Sequence, residues 1–207
     1  MTFFKKFIKP SDKRKSAFTE TPEPETRWIA LLEGTATCPC CDVPLRDLLS
    51  LAYFGPEEWS QTEPPQDNDT FFTAQGDVLT HDFCRIGDKH FVRTVMLIPF
   101  HDVEYCLILG TWVYLDQPSF DRFHDSYPSG EHGALDMQFG WIANVIPGFR
   151  GPHPCCIQPR NNFQRPIAHA ALEEDPLYGA EIDGITYDML LDMLEGFGHT
   201  GIARKIG

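Results

Sequence analysis

Two apolar runs, "HFVRTVMLIPF" at residues 90–100 and "EYCLILGTWVYLD" at residues 104–116, are separated only by "HDV". β-Branched and aromatic side chains dominate both runs, and such residues fit the pleated surface of a strand. A short polar turn joins strands of this kind as an antiparallel hairpin. A strand with one wet face alternates apolar and polar residues, whereas these two are apolar nearly throughout, so both of their faces require cover. Whatever the chain folds into must therefore build structure on each side of one central hairpin.

The flanking sequence offers that cover. "FFTAQGDVLT", "LDMQFGWIANV", "CCIQP" and "RPIAHAAL" read as further strands, bounded by turn residues. "DVPLRDLLSLAYFG" reads as a helix that Asp42 caps, with Leu45, Leu48, Leu49 and Ala52 on one face and Gly55 at its end. "PEEWS" reads as a helical turn and "QPSFDRFHDSY" as a short helix. "TYDMLLDMLEGFG" closes the domain as an amphipathic helix: Asp188, Asp192 and Glu195 form its wet stripe, and Met189, Leu190, Met193 and Leu194 face the core. The expected class is α+β, a central antiparallel sheet with short helices at both ends of the chain and between strands.

Residues 27–207 read as a single domain, of a length that can bury one core. Residues 1–26 read as a basic, proline-containing tail. Six of the chain's 17 lysines and arginines fall within its first fifteen positions against one acid, Asp12. Phe3, Phe4, Phe7 and Ile8 lie at helical spacing between those lysines, which permits weak contact with a membrane surface. The remainder is thus more acidic than the whole-chain charge of -13. Such a surface repels phosphate backbones, which argues against nucleic acid as a partner. No apolar run reaches the ~18–20 residues of a transmembrane helix. Seven cysteines, an odd number with two adjacent pairs, suit reduced thiols in the cytoplasm better than a disulfide framework.

The chemistry of the chain concentrates in "TATCPCCDVPLRDLL". Cys38 and Cys41 have the C-x-x-C spacing by which two thiolates on one tight knuckle meet a tetrahedral zinc. A structural zinc needs four ligands, and "GPHPCC" offers His153, Cys155 and Cys156 as distant donors. The candidate metal set is Cys38, Cys41, His153 and Cys156. A thiol ahead of a helix would also be acidified, the basis of a redox reading, although "LLEGTAT" ahead of it is a weak strand and the sheet comes later. The bland alternative is a group of small buried hydrophobes. Three His-Asp pairs, at His81, His101 and His124, read as local turn structure, because adjacent side chains on a strand point to opposite faces. No nucleophile elbow, phosphate-cradling loop or dinucleotide fingerprint is present in the sequence.

The order of motifs resembles the bacterial family called domain of unknown function 2199. The resemblance rests on Cys38 and Cys41, then "HDFCRI", "VRTVMLIPF", "LGTWVYL", "PSFDRF", "QRPIAH" and "EDPLYGAEIDGI", and covers roughly residues 38–196. Members of that family continue the knuckle as "CG" with a histidine nearby, whereas this chain has Asp42 and no histidine before His81. The resemblance implies the fold and brings no activity with it. The matching positions Asp82, Arg93, Trp112 and Arg165, with Cys84, mark a candidate shared cleft. Asp82 and Arg93 could equally form a buried pair that locks the sheet. Together these readings describe a binding or interaction module for a protein or small-molecule partner, with zinc as its one candidate cofactor. A metal- or thiol-dependent enzyme centred on Cys38 and Cys41 is the alternative.

Overall fold

The computed structural model describes residues 26–59, 70–73, 76–101 and 103–202. Apart from Thr26 the tail expected at 1–26 lies outside them, and so does its membrane contact. In chain order the elements are α1 (Thr26–Leu32), β1 (Ser50–Ala52), β2 (Phe71–Phe72), β3 (Val78–Leu79), β4 (Phe83–Ile86), β5 (Lys89–Phe100), β6 (Val103–Leu115), α2 (Gln117–Ser126), β7 (Gln138–Ile142), β8 (Pro154–Gln158), β9 (Ile167–Ala170), α3 (Pro176–Asp183) and α4 (Tyr187–Gly196). The composition is α+β.

β5 and β6 form the expected hairpin, paired antiparallel from His90↔Leu115 to Ile98↔Leu107, with an irregularity at Pro99 and Phe100. β6 pairs with β7, β7 with β8 and β8 with β9, all antiparallel. The fifth strand of an up-and-down series runs in the same direction as the first. When β9 comes round to β5 the seam is therefore parallel, at Val95↔Ile167, and Val95 N donates to Pro166 O at 3.0 Å. The sheet expected as antiparallel is thus a closed five-strand barrel with a parallel seam. A second parallel pairing joins β1 to β6.

Alternation decides what the barrel contains. Thr94, Met96, Ile98, Thr111, Leu109, Leu107, Gly140, Ile142, Cys155, Ile157, Ala168 and Ala170 are buried, and most of their strand neighbours are more exposed. The two threonines are cross-strand partners whose hydroxyls lie 2.8 Å apart, so neither is left unsatisfied inside. Among the described residues the outer face of the hairpin is covered at one end. There β4 and β3 fold over Phe91 and Trp112, which with Leu79 and Cys84 make a second, smaller core. At the other end Leu97 and Ile108 are 40% and 41% exposed, so cover on both faces extends along half of the hairpin.

"DVPLRDLLSLAYFG" does not form the expected helix. Leu45–Leu48 makes one 3-10 turn, and Ser50–Ala52 is β1, bound alongside β6. Leu49 and Leu51 are buried while Ser50 and Ala52 are exposed, the period of two that marks a strand. The free edge of β6 supplies hydrogen bonds that a short isolated helix cannot match. α2 and α4 stand where periodicity puts them, N-capped by Asp116 and Thr186. α1 and α3 occupy stretches where no helix is expected. Trp28 of α1 stacks on Phe100 at 4.5 Å and meets Tyr187 of α4 at 5.1 Å, which brings the two ends of the described chain together against the hairpin.

Gly140 is where β7 closes on β6. A Cβ there would lie 2.5 Å from Tyr114 O and 2.6 Å from a Val113 methyl. Gly140→Ala is expected to destabilise the fold by about 1–3 kcal/mol through overpacking against backbone. Gly179→Ala, in α3 with open space around it, is expected to be neutral or stabilising by up to about 1 kcal/mol. Urea unfolding of both variants checks the contrast.

Candidate functional site

The segment that carries three cysteines folds as a tight loop. Thr37 bridges Pro44, Cys38 N donates to Val43 O at 2.8 Å, and Asp42 N donates to Cys38 O at 2.8 Å. Closing so short a loop places Asp42 in the left-handed region, at φ 58°. Glycine adopts that conformation without strain, and aspartate is one of the few other residues that tolerates it. Asp42 is thus a residue type that this turn admits.

A fourth group arrives from the far end of the chain. α4 ends in a Schellman turn: Gly198, at φ 90°, donates to Glu195 O at 2.9 Å, and His199 N donates to Leu194 O at 2.9 Å. This reversal turns "GFGH" back toward the knuckle. Tyr53 and Phe197 rings in contact at 4.8 Å hold it there. His199 Nδ1 lies 3.9 Å from Cys38 Sγ and 3.7 Å from Cys41 Sγ, and Cys38 Sγ lies 3.1 Å from Cys40 Sγ. Cys40 Sγ also approaches Gly198 O at 3.7 Å.

One ligand atom from each of Cys38, Cys40, Cys41 and His199 falls within 4.8 Å of the others, and the four can hold a metal ion. Bonds of about 2.3 Å to sulfur and about 2.0 Å to nitrogen put tetrahedral zinc ligands roughly 3.5–3.8 Å apart. The separations on this loop bracket that range. Cys38 is buried, which by itself opposes its thiolate, but hydrogen bonds from the Cys40 and Cys41 side chains and amides outweigh this and lower its pKa. Hydrogen bonding to that same Cys38 raises the pKa of Cys40.

His153 and Cys156 do not belong to this group. His153 is buried with Nδ1 2.8 Å from Asp175, whose carboxylate also caps α3 by accepting from Leu177 N. Cys155 points into the barrel, and Cys156 stands across from Phe139 and His169. Burial raises the pKa of both thiols, and it pushes Cys84 up to about 12, so none of the three is poised as a nucleophile. His124 and Asp125 make an exposed pair at 3.6 Å, and Asp102 lies outside the described residues.

The four candidate cleft residues lie near the start of β4 without lining one pocket: Asp82 and Arg165 border one, Arg93 borders another, and Trp112 is buried. Arg93 and Trp112 are cross-strand partners; the guanidinium lies 5.9 Å from the indole centroid, and both side chains reach Tyr53 O at 3.4 Å. The Asp82 carboxylate is taken by Arg165 Nε at 2.8 Å and by the Tyr127 hydroxyl at 2.7 Å. Burial and that carboxylate push Tyr127 up to about 12. Arg93 binds Asp82 through the backbone instead, its N donating to Asp82 O at 2.8 Å. The ion-pair partner of Asp82 is thus Arg165, not Arg93, and the pair is partly exposed rather than buried.

A family model described as an uncharacterized protein conserved in bacteria, DUF2199, matches residues 37–185. The chain belongs to this family. The matched span opens at the knuckle and includes its three cysteines and all four cleft residues, but ends before His199. No curated protein and no solved structure matches the chain. For this DUF2199 member the metal-ligating group therefore has to be judged from its own geometry.

Two outcomes follow from the knuckle. Asp42→Val is expected to destabilise the protein by about 1–2 kcal/mol, because a β-branched residue is forced left-handed, while Asp42→Gly retains wild-type stability to within about 1 kcal/mol. Thermal unfolding of the two variants separates them. In metal-free native protein, Cys40 and Cys41 are expected to alkylate before Cys84 and Cys155, which are buried and react only on unfolding. Peptide mapping after timed iodoacetamide exposure checks the order.

Proposed function

We propose that this protein is a non-catalytic binding or interaction module braced by a structural zinc ion on Cys38, Cys40, Cys41 and His199. The observation that carries the reading is the convergence of three sulfurs and one imidazole nitrogen from two ends of the described chain. Three cysteines and one histidine suit zinc, and a full set of four protein ligands is the signature of a closed structural site. A catalytic zinc keeps a position open for water or substrate, which counts against the enzyme reading. The ion would tie the turn after α4 to the loop ahead of β1, across the core that α1, α4 and the hairpin share.

The module's partner would be a protein or small molecule, since the acidic balance of the chain disfavours nucleic acid. The seven free cysteines support a reducing, cytoplasmic setting. Among the described residues no helix is long and apolar enough to cross a membrane.

Metal analysis of the full chain purified without chelator is expected to find about one zinc per molecule, lost in Cys41→Ser and His199→Ala. Zinc at about 1,000 times its Kd would add about 4 kcal/mol to stability, so a strong chelator should lower Tm in the wild type and leave both variants unmoved. Metal-free protein whose melting ignores both zinc and chelator would refute the brace.

A further inference from the structure

The turn between β8 and β9, "PRNNFQRP", borders a shallow, open pocket of about 370 Å³ lined by Asp82, Val95, Arg160, Phe163, Gln164 and Arg165. That volume lies within the range of small-molecule sites, roughly 300–1,000 Å³. Its walls carry two guanidiniums. Arg165 uses Nε on Asp82, and Arg160 uses Nε on Arg165 O at 2.7 Å. Each bond fixes the plane of its guanidinium, and the terminal amino groups of both have no protein partner among the described residues. A planar fork fixed at one edge and open at the other matches the two oxygens of a carboxylate or phosphate.

Charge points the same way. Arg93 stands next in line: its pKa is lowered by burial and then by the positive charge of Arg165, against the attraction of Asp82. Its Nε is buried without a partner among the described residues. Arg165 pairs with Asp82, Arg93 feels the same carboxylate at longer range, and Arg160 has no carboxylate partner among the described residues, a local positive surplus on a chain whose net charge is -13. Half-exposed guanidiniums with free terminal amino groups are available to an anion from solvent.

The rim is a tight turn between antiparallel strands, closed by Gln164 N donating to Asn161 O at 3.3 Å. Asn162 and Phe163 are both left-handed, at φ 60° and 56°. Two successive positive φ values are what such a hairpin turn requires, and asparagine tolerates the first of them. Here Asn162 N donates to Gly130 O at 2.8 Å, and Asn161 Oδ1 accepts from Gly133 N at 2.8 Å. A Cβ on Gly130 would meet the Phe163 ring at 3.0 Å, so the turn is seated against its neighbour. Its shape is set before any ligand arrives, which reduces the ordering cost of binding.

We propose that this pocket binds a small organic anion through a carboxylate or phosphate group gripped by Arg160 and Arg165. The site is independent of the zinc brace and shares no ligand residue with it. Inorganic phosphate and succinate serve as probes. Each is titrated into the full chain at low ionic strength, with chloride of matched ionic strength as the control, and read by calorimetry and thermal shift. Saturable binding of either probe is expected. Arg160→Met should weaken it about tenfold or more, and Arg160→Lys, which keeps the charge but not the fork, should recover only part of the loss. Unchanged zinc content and circular dichroism would show that both variants are folded. A preference for phosphate identifies a phosphorylated ligand, and one for succinate identifies a carboxylate. Failure of both probes to exceed the chloride control, or undiminished binding by Arg160→Met, would overturn the proposal.

Discussion

The register of the β5–β6 hairpin governs the rest of the molecule. Thr94 opposite Thr111 and Met96 opposite Leu109 face the barrel, and Arg93 opposite Trp112 faces away from it. Strand side chains alternate with a period of two, so a slip of one residue between the strands would put Arg93 and Trp112 on opposite faces and separate the two threonines. The correct register does two things together. It gives the barrel an apolar interior with one satisfied polar pair, and it sets Arg93 and Trp112 on the outer face near the start of β4, where Asp82 and Arg165 pair. Barrel and outer face are consequences of one pairing.

How much of this can be read from the sequence depends on how local the cause is. The hairpin is visible because its signal lies within 30 residues of continuous chain, and α4 because Thr186, its apolar face and Gly198 follow one another. β1 is invisible to such reading. "LRDLLSLA" has helical periodicity in isolation and becomes a strand only because β6 offers it an edge. The parallel seam is equally non-local: nothing in "RPIAHA" says that it returns to Val95, and only counting five strands round a closed sheet requires it.

The metal-ligating group shows the same division. Cys38 and Cys41 declare themselves by spacing, whereas His199 is a lone histidine 161 positions from Cys38. The signal that could have pointed to it is the helix stop itself, because a glycine in the left-handed position after α4 reverses the chain and throws the next residue back. "GPHPCC" looked the better source of donors because its residues are clustered. Clustering in sequence says little about direction, and on β8 neighbouring thiols diverge while His153 is taken by Asp175. The candidate cleft divides in the same way: Asp82 and Arg165 border one pocket, Arg93 borders another and Trp112 is buried. Strand order and register, not proximity of motifs, decide which side chains share a surface.

The distance along the chain between the knuckle and His199 also orders events in time. While the protein is being synthesised, the three thiols emerge long before the imidazole and before the hairpin that will support them. A nascent chain can offer an ion an incomplete set of donors at most. The four-cornered cage exists only once α4 has left the ribosome and wrapped back, so full coordination would mark a polypeptide that has already finished closing its barrel.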